Sequence, residues 1–209
     1  PALLDSLADI LSLQVTQPRA VDPSDLQGID RAIGIANQLA TTYPNVPEYQ
    51  SLQGRLQSDL AAAQKLAGQL LEAEKNYRGA IELQRSLVQR YESVSLYRHC
   101  FAQSLFELAE IQRRREQFKE AKSNLEEAAL QLEPYAGADQ PTQRHYQRIL
   151  QQVYHRLALT CRDMGDVRLA GDFAQKAREI SDFDRPPPFG RFRFRPGGMS
   201  RRGWRGLSH

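Results

Sequence analysis

The 209 residues are 41% apolar and 25% charged, with a formal net charge of +3, a composition that excludes disorder throughout and residence inside a membrane. No stretch approaches the ~20 consecutive apolar residues that a spanning helix needs, and no basic-then-apolar leader opens the chain. The charge is divided: seven arginines and no acid or lysine follow Asp184, which leaves 21 of the 28 basic residues against all 25 acids in residues 1–184, a body near −4 with a tail of +7.

In chain order, the sequence opens on Pro1 rather than Met, directly into what reads as an amphipathic helix over residues 2–15, so it reads as the processed or excised end of something longer. Pro23 and Ser24 mark the start of a second helix that runs to Thr42. Together these make a partial or degenerate hairpin over residues 1–46. The next segment carries Tyr49, Leu52, Leu56, Leu60, Ala63 and Leu66 on one helical face, then Gly68 near a turn. Ala73, Tyr77, Ala80, Ile81, Leu83 and Leu87 follow on a second helix. Tyr97, Phe101, Leu105, Leu108 and Ile111 open the following pair, and a polar turn over residues 113–117 leads to Phe118, Ala121, Leu125, Ala128 and Leu132, with a stop at Pro134. A third pair reads Tyr146, Ile149, Val153, Leu157 and Cys161, a turn at residues 164–166, then Val167, Ala170, Ala174, Ala177 and Ile180.

These pairs repeat. Leu39, Tyr43, Val46 and Tyr49 recur 48 residues later as Leu87, Tyr91, Val94 and Tyr97. Three further columns continue at an offset of 48 and then 49: Leu60, Leu108 and Leu157; Ala61, Ala109 and Ala158; Ala73, Ala121 and Ala170. A side chain that ends at Cβ lets two helices come close, so alanine at fixed positions predicts interlocked hairpins. A Leu-small pair on the first helix with Ala-x3-aromatic-x2-Ala on the second, as in Leu60, Ala61, Ala73, Tyr77 and Ala80, resembles the tetratricopeptide repeat family. The signature tryptophan position holds Gln57, Leu105 and Tyr154, and the period exceeds the usual 34 by about 14 residues, roughly two turns per helix. The enlarged units and the connector over residues 43–49 look like arrays that follow kinase or other signalling domains in some bacterial proteins.

The resemblance implies an all-α, right-handed α-solenoid of antiparallel helix hairpins, with three pairs at about 47–92, 95–134 and 141–183. It also implies a concave groove lined by the first helix of each pair. Its groove positions correspond to Arg55, Ser58, Ala62 and Lys65, then Gln103, Phe106, Glu110 and Arg113, then Gln152, His155, Leu159 and Arg162. In this reading Phe106 and Leu159 anchor an apolar side chain of a partner peptide, His155 lies beside them, and Arg55, Lys65, Arg113 and Arg162 meet its acidic groups. The family's clamp for a C-terminal carboxylate is not reproduced, because its positions hold Ser58, Ala62, Glu107 and Glu110 and only Arg156 remains.

Residues 184–209 combine helix breakers with arginine and aromatic residues and predict a disordered tail. Arg191, Arg193, Arg195 and Trp204 suit phosphates and stacked bases, so RNA or single-stranded DNA is the alternative partner. Catalysis is not expected. His99 and Cys100 are neighbours that diverge by about 100° on a helix, His145 and His155 are about 15 Å apart along one helix, and no phosphate loop, nucleophile elbow or Cys-x-x-Cys occurs. The expectation is a non-catalytic interaction scaffold without cofactor or metal. With two cysteines, Cys100 and Cys161, inside apolar-periodic segments, it belongs in a reducing, cytoplasmic compartment.

Overall fold

Helical apolar spacing over two dozen or so residues at a time leaves the chain one way to bury its surface, as helices laid side by side. In a computed structural model, residues 23–135 and 141–183 are described. They form α1 (Pro23–Thr42), α2 (Pro47–Leu66), α3 (Leu70–Arg90), α4 (Ser95–Arg114), α5 (Phe118–Leu132), a single 3-10 turn (Glu133–Tyr135), α6 (Pro141–Asp163) and α7 (Val167–Phe183), with no strand among the described residues. The expected helix over residues 2–15 and the expected disordered tail, with Arg191, Arg193, Arg195 and Trp204, lie outside the described residues.

Three tight turns, repeating at the sequence period, reverse the chain within α2–α3, α4–α5 and α6–α7. In each, one residue takes a left-handed conformation: Gly68 at φ 79°, Glu116 at φ 60° and Gly165 at φ 83°. The flanking amides close the helix end the same way each time. Gly68 N–H bonds to Lys65 O at 3.2 Å and Gln69 N–H to Gln64 O at 2.8 Å; Glu116 and Gln117 bond to Arg113 O and Gln112 O at 3.0 and 2.9 Å; Gly165 and Asp166 bond to Arg162 O and Cys161 O at 3.0 and 2.9 Å. This is the Schellman arrangement, which satisfies the last carbonyls of a helix. Glycine adopts it without steric penalty; Glu116 does so against the roughly 1–2 kcal/mol that a Cβ costs there.

The longer connectors also repeat. Tyr43 N–H bonds to Leu39 O, and Tyr91 N–H to Leu87 O, both at 2.8 Å. The ring pairs Tyr43–Tyr49 and Tyr91–Tyr97 stand with centroids 5.8 and 6.0 Å apart. Tyr135 and Tyr146 make the equivalent contact at 5.7 Å. Pro47 and Pro141 occupy the first residue of α2 and α6, where a missing N–H leaves no intrahelical bond unmade.

Each helix packs on its neighbours in sequence order, and α2, α4 and α6 also touch one another in a row. The outer helices α3 and α5 are bridged by a long side chain, with Arg85 Nη2 reaching Glu127 Oε2 at 2.9 Å. Within the first pair, Arg90 at the end of α3 donates to Gln50 at the start of α2 at 2.6 Å, as antiparallel helices require. One core runs through α2 to α7. Ala61, Ala73, Ala80, Ala109, Ala121 and Ala128 are completely buried at the helix crossings. Three sequence expectations shift: Ala170 is only half-buried, and Leu66 in the last turn of α2 and Val167 at the start of α7, both read as part of the apolar faces, are exposed.

Four substitutions test this register. Glu116→Gly is expected to raise unfolding stability by about 1 kcal/mol, and Gly68→Ala to lower it by a similar amount, read from denaturant midpoints at constant slope. Ala121→Leu is expected to cost about 2–3 kcal/mol by overpacking, and Ala170→Leu less than about 1 kcal/mol, by the same measurement.

Candidate partner-binding surface

Because α2, α4 and α6 stand side by side, side chains one helical turn apart on each form continuous walls, and two cavities open between them. The first, of about 320 Å³, lies between α2 and α4. Arg55, Ser58, Asp59 and Ala62 form one wall, Leu96, His99, Cys100, Gln103, Ser104 and Glu107 the other, and Tyr77 and Gln84 of α3 the floor. The second, of about 660 Å³, is bounded by Phe106 of α4, by Gln151, Gln152, His155 and Arg156 of α6, and by Ala174, Ala177 and Arg178 of α7.

Of the seven residues singled out from the sequence, three line these cavities. Arg55 lines the first cavity, and Phe106 and His155 line the second. Leu159 is half-buried on α6 and Arg162 exposed near its end. Lys65 and Arg113 are engaged within the chain: Lys65 pairs with Glu107 across α2 and α4, and Arg113 Nη2 lies 2.7 Å from Asp163 Oδ2 across α4 and α6. Arg156, the remaining clamp position, has its Nε 3.2 Å from Glu110 Oε1. An acidic ligand therefore competes with Glu107, Glu110 and Asp163 for these cations, and the surface is less basic than its arginines suggest.

Other contributors were not picked out from the sequence. The apolar pattern marks Tyr77 for packing and Leu83 rather than Gln84 for the buried face, although Gln84 is almost fully buried. The available signal was the repeat itself, which places Leu125 and Leu132 of α5 at the same two columns. His99 and Cys100 diverge on α4 yet both border the first cavity, where burial pushes the Cys100 thiol above its ordinary pKa. His99 also meets His145 of α6, ring centroids 4.9 Å apart, with Tyr146 edge-on at 5.6 Å. Each histidine is the fifth residue of its helix, so parallel neighbours bring them level. Among the described residues, no cluster of three or more His, Cys, Asp and Glu side chains is placed to hold a metal ion, and no helix is long and apolar enough to cross a membrane.

Burial, and then the neighbouring His145, lower the His99 pKa from its ordinary 6.5. The unfolded imidazole thus gains its proton at a higher pH than the folded one. Between those two values the unfolded state holds more protons, so stability falls as pH drops through 6.5 and levels off below the folded value. Thermal unfolding from neutral to mildly acidic pH is expected to show this decline in the wild-type chain and a shallower one in His99→Gln.

No protein-family model matches the sequence, and no curated protein does. Among solved structures, the chain is similar to BtubC (BKLC) from P. vanneervenii, with 14% identity and a TM-score of 0.36 over 100% of this chain and 96% of that one. It is also similar to the nearly identical TPR-like repeats of a putative kinesin light chain from Podosopora anserina, with 16% identity and a TM-score of 0.40 over 88% of this chain and 97% of that one. A Q17M form of those repeats aligns at the same identity and score. On the repeated turns, tyrosine pairs and buried alanines, the fold is an all-α, tetratricopeptide-like array of helix hairpins.

Proposed function

We propose that this chain is a non-catalytic scaffold or adaptor that binds a partner peptide along the surface formed by α2, α4 and α6. The observation that supports this most directly is the row of these three helices with a cavity on either side of α4, both open to solvent and both walled by polar and apolar side chains. Phe106 and Leu159 offer apolar contact, and His155 and Arg162 supply polar groups at the rim. The enlarged units and tyrosine-paired connectors, which resemble arrays attached to bacterial signalling domains, support a regulatory place in a longer signalling protein.

Partners cross-linked in the source cells and identified by mass spectrometry provide the ligand for the test. Truncating an anchor side chain commonly removes 1 kcal/mol or more of binding, so Phe106→Ala and Arg162→Glu should each weaken a purified partner by about fivefold or more. Phe106 also packs against the core, so its binding is scored per folded molecule, whereas the exposed Arg162 needs no such correction. Wild-type affinity in both variants would remove this surface from consideration.

A further inference from the structure

In one place α3 departs from the pattern of α5. Where α5 carries Leu125 and Leu132, both with no exposed surface, α3 carries Tyr77 at 1% and Gln84 at 2% exposure. Tyr77 Oη and Gln84 Oε1 have no hydrogen-bond partner among the described residues. A polar atom buried in that condition is destabilising, and the leucines 48 residues later carry no such penalty. Both side chains form the floor of the cavity between α2 and α4. The space around Gln84 depends on Gly54 of α2, where a Cβ would stand 3.2 Å from Gln84 Cγ.

The contacts around Ser58 show how Gln84 is placed. Ser104 Oγ donates to Cys100 O at 3.1 Å and lies 2.8 Å from Ser58 Oγ. Either serine can donate in that contact, and Ser58 Oγ also lies 3.1 Å from Gly54 O. Ser58 Oγ accepts from Gln84 Nε2, 3.5 Å away. Nε2 is thereby held, and Oε1 is the free acceptor. At the other end, burial keeps the Tyr77 phenol protonated, so its oxygen carries a free donor.

We infer that this cavity is a subsite for a primary carboxamide, the side chain of an asparagine or glutamine in the partner peptide. Its carbonyl accepts from Tyr77 Oη–H while its N–H donates to Gln84 Oε1. Tyr77 and Gln84 are seven residues apart on α3, about 10 Å along the axis, so they stand two helical turns apart on the same face. A group whose donor and acceptor are separate atoms suits them better than one hydroxyl oxygen. A carboxylate meets Gln84 Oε1 without a donor, beside the acidic Asp59 and Glu107. An ammonium leaves the Tyr77 hydrogen unpaired, and an alkyl group leaves both atoms so.

This inference rests on the groove-binding reading, and one experiment separates the two. Random dodecapeptides displayed on phage are panned on the full chain, with enough salt to screen the arginine-rich tail, and on Tyr77→Phe/Gln84→Leu, which installs apolar side chains as in α5. If circular dichroism shows that the double variant does not fold, Tyr77→Phe replaces it. The expected result is a wild-type pool with asparagine or glutamine at one fixed position. Changing that residue to alanine in a synthetic peptide should weaken binding by about tenfold on the wild-type chain and by less than about twofold on the variant. Acidic, basic or hydroxyl residues at that position, no preference there, or a carboxamide preference that survives in the variant overturns the subsite and leaves the groove standing. If no peptide is enriched on the wild-type chain, both fall.

Discussion

Close approach between paired helices is the constraint on which the rest of the array depends. Ala61, Ala73, Ala80, Ala109, Ala121 and Ala128 have no exposed surface, because nothing longer than a methyl group fits between the backbones at those crossings. The same requirement appears as glycine where a larger side chain must share the crossing. A Cβ at Gly79 would stand 3.4 Å from Gln57 Oε1, and one at Gly54 presses on Gln84. In a stack whose stability is summed over neighbouring units, a crossing that opens loosens its own hairpin and the next. Everything placed on α2, α4 and α6, including the heights at which their side chains face each other, follows from how closely α3 and α5 lie behind them.

Electrostatics refines this arrangement more than it stabilises it. Lys65–Glu107, Arg113–Asp163 and Arg156–Glu110 stitch the inner helices, while Arg85–Glu127 and Arg115–Glu74 stitch the outer side. Most of these groups are half-buried and Glu74 is buried, so the attraction within each pair is offset by the cost of taking its charges out of water. Their larger effect is on recognition. Lys65, Arg113 and Arg156 are each offset by a neighbouring acid, so the inner face is less basic than its count of cations suggests.

Most of the architecture was legible because the repeat writes it three times. The columns at Leu60, Ala61 and Ala73 located the hairpins, and Gly68 and Gly165 located two of the left-handed turn residues; Glu116, the third, carries no sequence mark of its conformation. Less of the surface was legible, for reasons that are physical. Periodicity ranks residues by hydrophobicity, so it favoured Leu83 and passed over Gln84, which is buried by its position beside Gly54 rather than by its chemistry. Spacing along one helix does not record neighbours across a helix gap, so it leaves apart His99 and His145, which stand level on neighbouring helices. Ion-pair partners depend on the reach of long side chains across a helix gap, which no spacing records, and Lys65 and Arg113 therefore read as available cations. Ala170 follows the column but not the burial, since no helix among the described residues packs on α7 beyond α6.

The third hairpin shows which polar groups the fold itself needs. Near the first turn Asn76 donates to Gln64 at 2.8 Å, and near the second Asn124 donates to Gln112 at 2.7 Å. At the same columns of the third hairpin stand Cys161 and Phe173, both buried in the core. The hairpin thus closes equally well over a polar pair or an apolar one, provided each polar atom finds its partner. Tyr77 and Gln84 meet the first condition and not the second. Leucine fills their columns in α5, so packing alone does not explain a hydroxyl and an amide oxygen left open beneath a cavity. In the proposed subsite, a group that arrives from outside the chain supplies the missing half of the interaction.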